Sequence, residues 1–123
     1  MQFIKREIEP QKIKIGGHEY PAIYSFKAIK EQENYTGYAH TITTTRIATN
    51  TFTAKDLIGV LFGMLTAAGV ECTPDDIAET ITLDDETELI GRVVDIMNSQ
   101  MAPTTAETAP KNAERATNQI GTE

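Results

Sequence analysis

The 123-residue chain has no tryptophan, one cysteine and two histidines, and these shortages exclude several chemistries before any pattern is read. A lone cysteine, Cys72, cannot close an internal disulfide, so the fold must rest on its core, as suits a reducing compartment. His18 and His40 stand at no ligand spacing with each other or with Cys72, which argues against a zinc or general-base site. There is no glycine-rich phosphate loop, no Ser, His and Asp set and no paired carboxylates in a recognisable frame, so neither an enzyme nor a bound cofactor is expected. The longest apolar run, Leu57 to Val70, has 14 residues between Asp56 and Glu71, short of the roughly 20 a membrane span needs. Met1-Gln2-Phe3-Ile4 meets Lys5, Arg6 and Glu7 with no apolar stretch behind it, unlike a secretory signal, and a soluble intracellular protein is expected.

The net charge of -7 is unevenly placed. Residues 1–30 carry six basic and three acidic side chains, whereas residues 61–100 carry one basic and nine acidic ones. Binding to a nucleic-acid duplex needs clustered Lys and Arg to displace counterions, and the basic front is diluted by Glu7, Glu9 and Glu19. Nucleic acid is therefore not the expected partner. The acids Asp75, Asp76, Asp84, Asp85, Glu86 and Glu88 lack the alternating spacing and central glycine of a calcium loop, and read instead as helix N-terminal charges.

The pattern predicts a mainly α (α+β) fold: an N-terminal β-hairpin packed on a small bundle of about four helices. One folded domain is expected over 1–101. Residues 102–123 hold one large aliphatic, Ile120, too little to offset ordering entropy, and are expected to be a disordered tail. Ile13 and Ile15 alternate with lysines ahead of Gly16-Gly17, and Tyr20, Ala22 and Tyr24 alternate after it, which marks a hairpin at about 11–25. Pro21 lacks a backbone donor, which places its strand at an edge or limits its pairing. Helices are expected at about 26–36 (Ser25 cap, Gly37 stop), 54–68 (Thr53 and Asp56 as a capping box, Gly69 stop), 74–82 (Thr73 cap, Pro74 at the first position) and 85–99. Leu89, Val93, Ile96 and Met97 give the last of these one apolar stripe, broadened by Ile90 and Val94. Tyr38 to Thr53, with seven threonines and no helical period, is expected to be a loop, with a β-prone segment around Ile42 and Ile47 or a short helix as the alternatives.

The helix over 57–70 is apolar nearly all the way round, and Gly59 with Gly63 would admit a second backbone closely, either within the molecule or between subunits. A core of about 100 residues has limited capacity to cover every face of such a helix, and an uncovered face would bind protein. On that ground Leu57, Leu61, Phe62, Met64 and Leu65, with Leu89, Val93 and Met97 of the last helix, are the candidate partner-binding residues. Tyr20, Tyr24, Tyr35 and Tyr38 add the amphipathic area found at interfaces. Cys72 precedes a helix start, where a thiolate is favoured, but a small buried side chain is the better reading.

The order of these elements resembles the tail assembly chaperones of long-tailed, non-contractile bacteriophages. The resemblance covers about residues 11–100: the hairpin Ile13-x-Ile15-Gly16-Gly17-His18-Glu19-Tyr20, then Ser25-Phe26-Lys27-Ala28-Ile29, Glu33 to Gly37, Leu57 to Ala68 and Cys72-Thr73-Pro74-Asp75-Asp76-Ile77. It implies a protein that binds and solubilises the apolar, helical tape-measure protein in the host cytoplasm without nucleotide, forms a homo-oligomer, and is absent from the mature virion. It also implies a longer frameshift product of the same gene, for which the region from Ala102 has the right position. The Thr-rich stretch exceeds what the resemblance requires. The rival expectation is a structural subunit of the tail or head-tail connector.

Overall fold

A computed structural model describes residues 2–4 and 7–101. The expected disordered tail, 102–123, lies outside the described residues. Two strands, β1 (Gln11–Ile15) and β2 (His18–Ala22), are followed by five helices: α1 (Phe26–Thr36), α2 (His40–Ala48), α3 (Ala54–Ala67), α4 (Pro74–Thr80) and α5 (Glu86–Met101), with a 3-10 turn at Leu83–Asp85. The mainly helical fold with an N-terminal hairpin is the one expected.

Gly16 and Gly17 both take positive φ, +61° and +86°. That is the two-residue turn whose twist matches paired strands, and glycine adopts its positive φ without strain. The turn sets the register, Ile15 opposite His18 and Lys12 opposite Pro21, antiparallel. Counting outward from the turn, hydrogen-bonded and non-bonded pairs alternate, so the backbone groups of Lys12 and Pro21 face away from the ribbon. Pro21 thus lacks its N–H on the outer edge of β2, where the expectation of an edge position is met. On the opposite edge the Lys12 carbonyl accepts from Arg92 Nε of α5 at 2.7 Å.

The helix starts follow the sequence closely. Ser25 Oγ accepts from the Ala28 N–H at 3.4 Å, and Gly37, at φ +87°, ends α1 with its N–H on the Glu33 carbonyl. Thr53 and Asp56 form the reciprocal capping box of α3, and Thr73 and Asp76 that of α4, where Pro74 occupies the first turn.

The 38–53 stretch departs from expectation, because His40–Ala48 is a helix rather than a loop. Its threonines have poor helix propensity, and no side chain caps Ala39. Distant groups supply what the local sequence lacks. The Glu33 carboxylate accepts the His40 N–H at 2.8 Å and faces the ring Nδ1 at 3.0 Å, an anion at the positive end of α2. Thr43 and Ile47 are buried against the rest of the molecule.

The core is one cluster. Ile13, Ile15, Ala22 and Tyr24 of the hairpin region meet α3, α5, Ala28 of α1, Ile47 of α2 and Ile77 of α4. The hairpin is tied in at its exit, where the Ile23 N–H donates to the Met64 carbonyl at 3.1 Å and the Tyr24 N–H to Gln100 Oε1 at 2.5 Å. Gln100 Nε2 in turn donates to the Glu9 carbonyl at 3.1 Å. Phe26, the first residue of α1, stands in solvent.

Candidate functional site

The two glycines of α3 decide how its neighbours lie. A Cβ at Gly63 would sit 3.1 Å from the Ala28 carbonyl carbon and closer still to its oxygen, and one at Gly59 would lie 2.7 Å from Thr36 Cγ2. The small-residue pair therefore meets Ala28, Gln32 and Thr36, spaced one turn apart on α1. Of the two roles open to these glycines, the fold uses the intramolecular one.

With α1 on that side, the hairpin, α4 and α5 cover the inner faces and leave the Ile58 and Phe62 edge partly open. Leu57, Leu61, Met64 and Leu65 are buried, and Leu89, Val93 and Met97 of α5 are buried with them in the same cluster. The fold brings seven of the eight candidate partner-binding residues together, but as the core and not as an open groove. The reason is that the hairpin spans both helices, β2 packing on α3 and β1 on α5, which closes the space between them. Phe62, the eighth, keeps partial access. It shares the outer stripe of α3 with half-buried Ile58 one turn earlier and meets Tyr35 of α1 edge to face, ring centroids 6.4 Å apart at 61°. Lys55 Nζ lies 5.6 Å from the Tyr35 ring centroid, at the end of the stripe.

The most concentrated polar chemistry was hidden in the Thr-rich stretch. Asp56, 0% exposed, takes hydrogen bonds from the Tyr38 hydroxyl, the Thr53 N–H at 2.8 Å and the Thr43 hydroxyl at 3.1 Å. Arg46 Nη1 stands 3.3 Å from Asp56 Oδ2, and its guanidinium lies 5.0 Å from the Tyr38 ring centroid. Burial pushes the Asp56 pKa up, but the hydrogen bonds from Tyr38, Thr53 and Arg46 outweigh it and hold the carboxyl at about 2. Tyr38 is raised, by burial first and then by the adjoining carboxylate. These partners clamp α2 to the start of α3. The sequence signals only one of them, the Thr53 and Asp56 capping box.

Other titratable groups show ordinary structural causes. Glu33 is lowered by the His40 N–H and then the His40 ring. Cys72 is half-buried, and burial followed by the Asp76 charge raises its pKa, opposite to the activation a helix start gives. An open cleft between β1 and α5 presents Lys12, Lys14 and Arg92 against Glu19, Glu88 and Asp95. Among the described residues no three His, Cys, Asp or Glu side chains converge on one point, and no helix is long and apolar enough to cross a membrane.

Among the described residues, six large apolar side chains besides the half-buried stripe face solvent: Phe3, Ile4, Ile8, Phe26, Ile42 and Leu83. Compared with known proteins, the chain matches no family model, no curated protein and no solved structure.

Proposed function

We propose that the protein is a non-enzymatic tail assembly chaperone that holds an apolar helical client, the phage tape-measure protein, until tail subunits enclose it. Support comes from the element order of the resemblance together with one observation. On the most apolar helix of the chain, Ile58 and Phe62 keep an outward stripe beside Tyr35 after the core has closed. An amphipathic helix recognises such a stripe through anchors at i and i+4. The acidic surface from Glu71 to Glu88 suppresses nonspecific contacts elsewhere on the molecule. No nucleotide or metal enters this reading, and its place of action is the host cytoplasm.

The client surface is thus moved from the Leu61 and Leu65 side of α3 to the Ile58 and Phe62 side. Replacing both Ile58 and Phe62 by Ser should abolish copurification with the tape-measure protein while the far-ultraviolet circular dichroism stays helical. Replacing Leu61 and Leu65 by Ser should instead unfold the chain. Retained client binding by the Ile58 and Phe62 variant would refute the placement. Mass spectrometry of purified virions addresses the function itself, because a chaperone is absent from finished particles and a structural tail or connector subunit is present in many copies.

A further inference from the structure

One edge of β1 keeps hydrogen-bonding groups that the hairpin does not use. Pairing with β2 takes up the backbone of Gln11, Ile13 and Ile15, so the N–H and C=O of Lys12 and Lys14 point outward. Among the described residues only one of these groups, the Lys12 carbonyl, has a partner, Arg92 Nε. The others open onto the cleft between β1 and α5, a space of about 660 Å³. Its opposite wall includes Gly91 of α5, where an added Cβ would meet nothing within 4 Å. The five residues of β1 make an edge about 17 Å long. Free donors and acceptors along a strand edge, beside a cleft with no side chain in its floor at Gly91, have the form of a strand-addition site.

Charge selects the strand that fits. Lys12 and Lys14 are exposed on the outer face of β1, and a residue paired directly with either shares that face. Glu19 opposes Lys14 within the hairpin, whereas Lys12 stands opposite Pro21 and has no counter-charge there. The carboxylates on the other wall do not oppose an incoming acid at Lys12. Asp85 accepts from the Thr82 hydroxyl at 3.0 Å. Glu88 and Asp95 lie four residues before and three after Arg92 on α5, within reach of its guanidinium once it leaves the Lys12 carbonyl. A second β1 edge would bring lysines against lysines. We propose that the β1 edge binds an extended segment of a partner protein, added antiparallel, with carboxylates opposite Lys12 and Lys14 and short side chains between them lying over Gly91. The Lys12 carbonyl then passes from Arg92 to an N–H of the segment. None of these residues belongs to the Ile58 and Phe62 stripe, so the site stands or falls independently of client binding.

The probes are peptides of alternating Thr and Glu, and of alternating Thr and Lys, each about eight residues long to span the edge. They are titrated into the full chain while its backbone amides are followed by NMR. The Thr and Glu peptide should move the Lys12 and Lys14 amide protons downfield and slow their exchange, and bind about tenfold or more tighter than the Thr and Lys peptide. In this pairing the Glu nitrogens face β1 and the Thr nitrogens face away. Methylating the Glu nitrogens should therefore weaken binding by about tenfold or more, and methylating the Thr nitrogens should not. Gly91→Leu, which sends a side chain into the cleft, should weaken binding to a similar extent without lowering the melting temperature, and Lys12→Glu should shift the preference to the Thr and Lys peptide. Failure of the Thr and Glu peptide to bind at millimolar concentration, equal binding of the two peptides, indifference to methylated Glu nitrogens, or shifts confined to residues away from β1 would each overturn the site. Lys12 and Lys14 amide shifts that grow with protein concentration alone would overturn it too, by giving the edge to a second copy.

Discussion

The approach of α1 to α3 can be tested with one methyl group at two positions. Gly63 and Gly91 are both helical glycines, and in a free helix the change to alanine is worth about 1 kcal/mol of added stability at either. Around Gly91 a new Cβ meets nothing within 4 Å. Gly91→Ala should therefore keep that gain. At Gly63 the same methyl runs into the Ala28 carbonyl, 3.1 Å from its carbon, and backbone cannot rotate aside as a side-chain end can. The two helices must separate along their contact, loosening Gln32 and Thr36 with them. Overpacking of a well-filled site costs about 1–3 kcal/mol, and a rigid obstacle puts this case at the upper end. After the propensity gain, Gly63→Ala should lose about 2 kcal/mol, or about 10 °C in melting temperature for a domain of this size. Urea unfolding followed by circular dichroism at fixed protein concentration measures both variants, with an unchanged slope required for the comparison. A Gly63→Ala protein as stable as the wild type would show that these helices do not meet as described. A loss that depends on protein concentration would place the glycine at a subunit contact.

Three further outcomes follow from buried polar groups. Asp56 titrates at about 2 in the fold against an ordinary 3.8, so its ionised form contributes about 2 kcal/mol above pH 4, and this is lost as pH falls towards 2. Asp56→Asn should be less stable than wild type at neutral pH by about that amount, with the gap closing between pH 4 and pH 2 in urea titrations; a constant gap would mean the carboxylate is not the stabilising species. Gln32 is 1% exposed, and neither polar atom of its amide has a protein hydrogen-bond partner. Gln32→Met, of similar volume, should raise the urea midpoint by the equivalent of about 1 kcal/mol or more, and a fall would show that the amide is satisfied. Cys72, with its pKa raised, should react with iodoacetamide at neutral pH more slowly than a free cysteine, and a faster rate would restore the activated-thiolate reading.

The parts of the fold legible in the sequence were those encoded by neighbours. Gly16-Gly17, the alternation around it, and the caps at Ser25, Thr53 and Thr73 each act over four residues or fewer, and they locate the hairpin and three helix starts. Helix α2 is not of that kind. Its threonines carry no apolar period, and what makes it helical is the Glu33 carboxylate at its start and the clamp of Thr43 and Arg46 on Asp56, contacts that span 7 to 13 positions of chain. The candidate site failed to read correctly for a related reason. The apolar circumference of α3 is plain in the sequence, but whether Leu61 is core or faces solvent depends on how distant elements, β2 against α3 and β1 against α5, assemble around it. Phe62 and Leu65 are adjacent in hydropathy and opposite in exposure.

The guarding of the hairpin edges has a consequence for the protein at high concentration. An open two-stranded ribbon is a template on which further strands can add, the first step towards cross-β aggregates. Pro21 closes one edge covalently, whereas the other depends on the reach of a single side chain, Arg92 on the Lys12 carbonyl. The resistance of the ribbon to fibril growth is therefore permanent on one side and conditional on the other, so that losing one guanidinium, with the native fold otherwise intact, would turn the β1 edge into the place where aggregation begins.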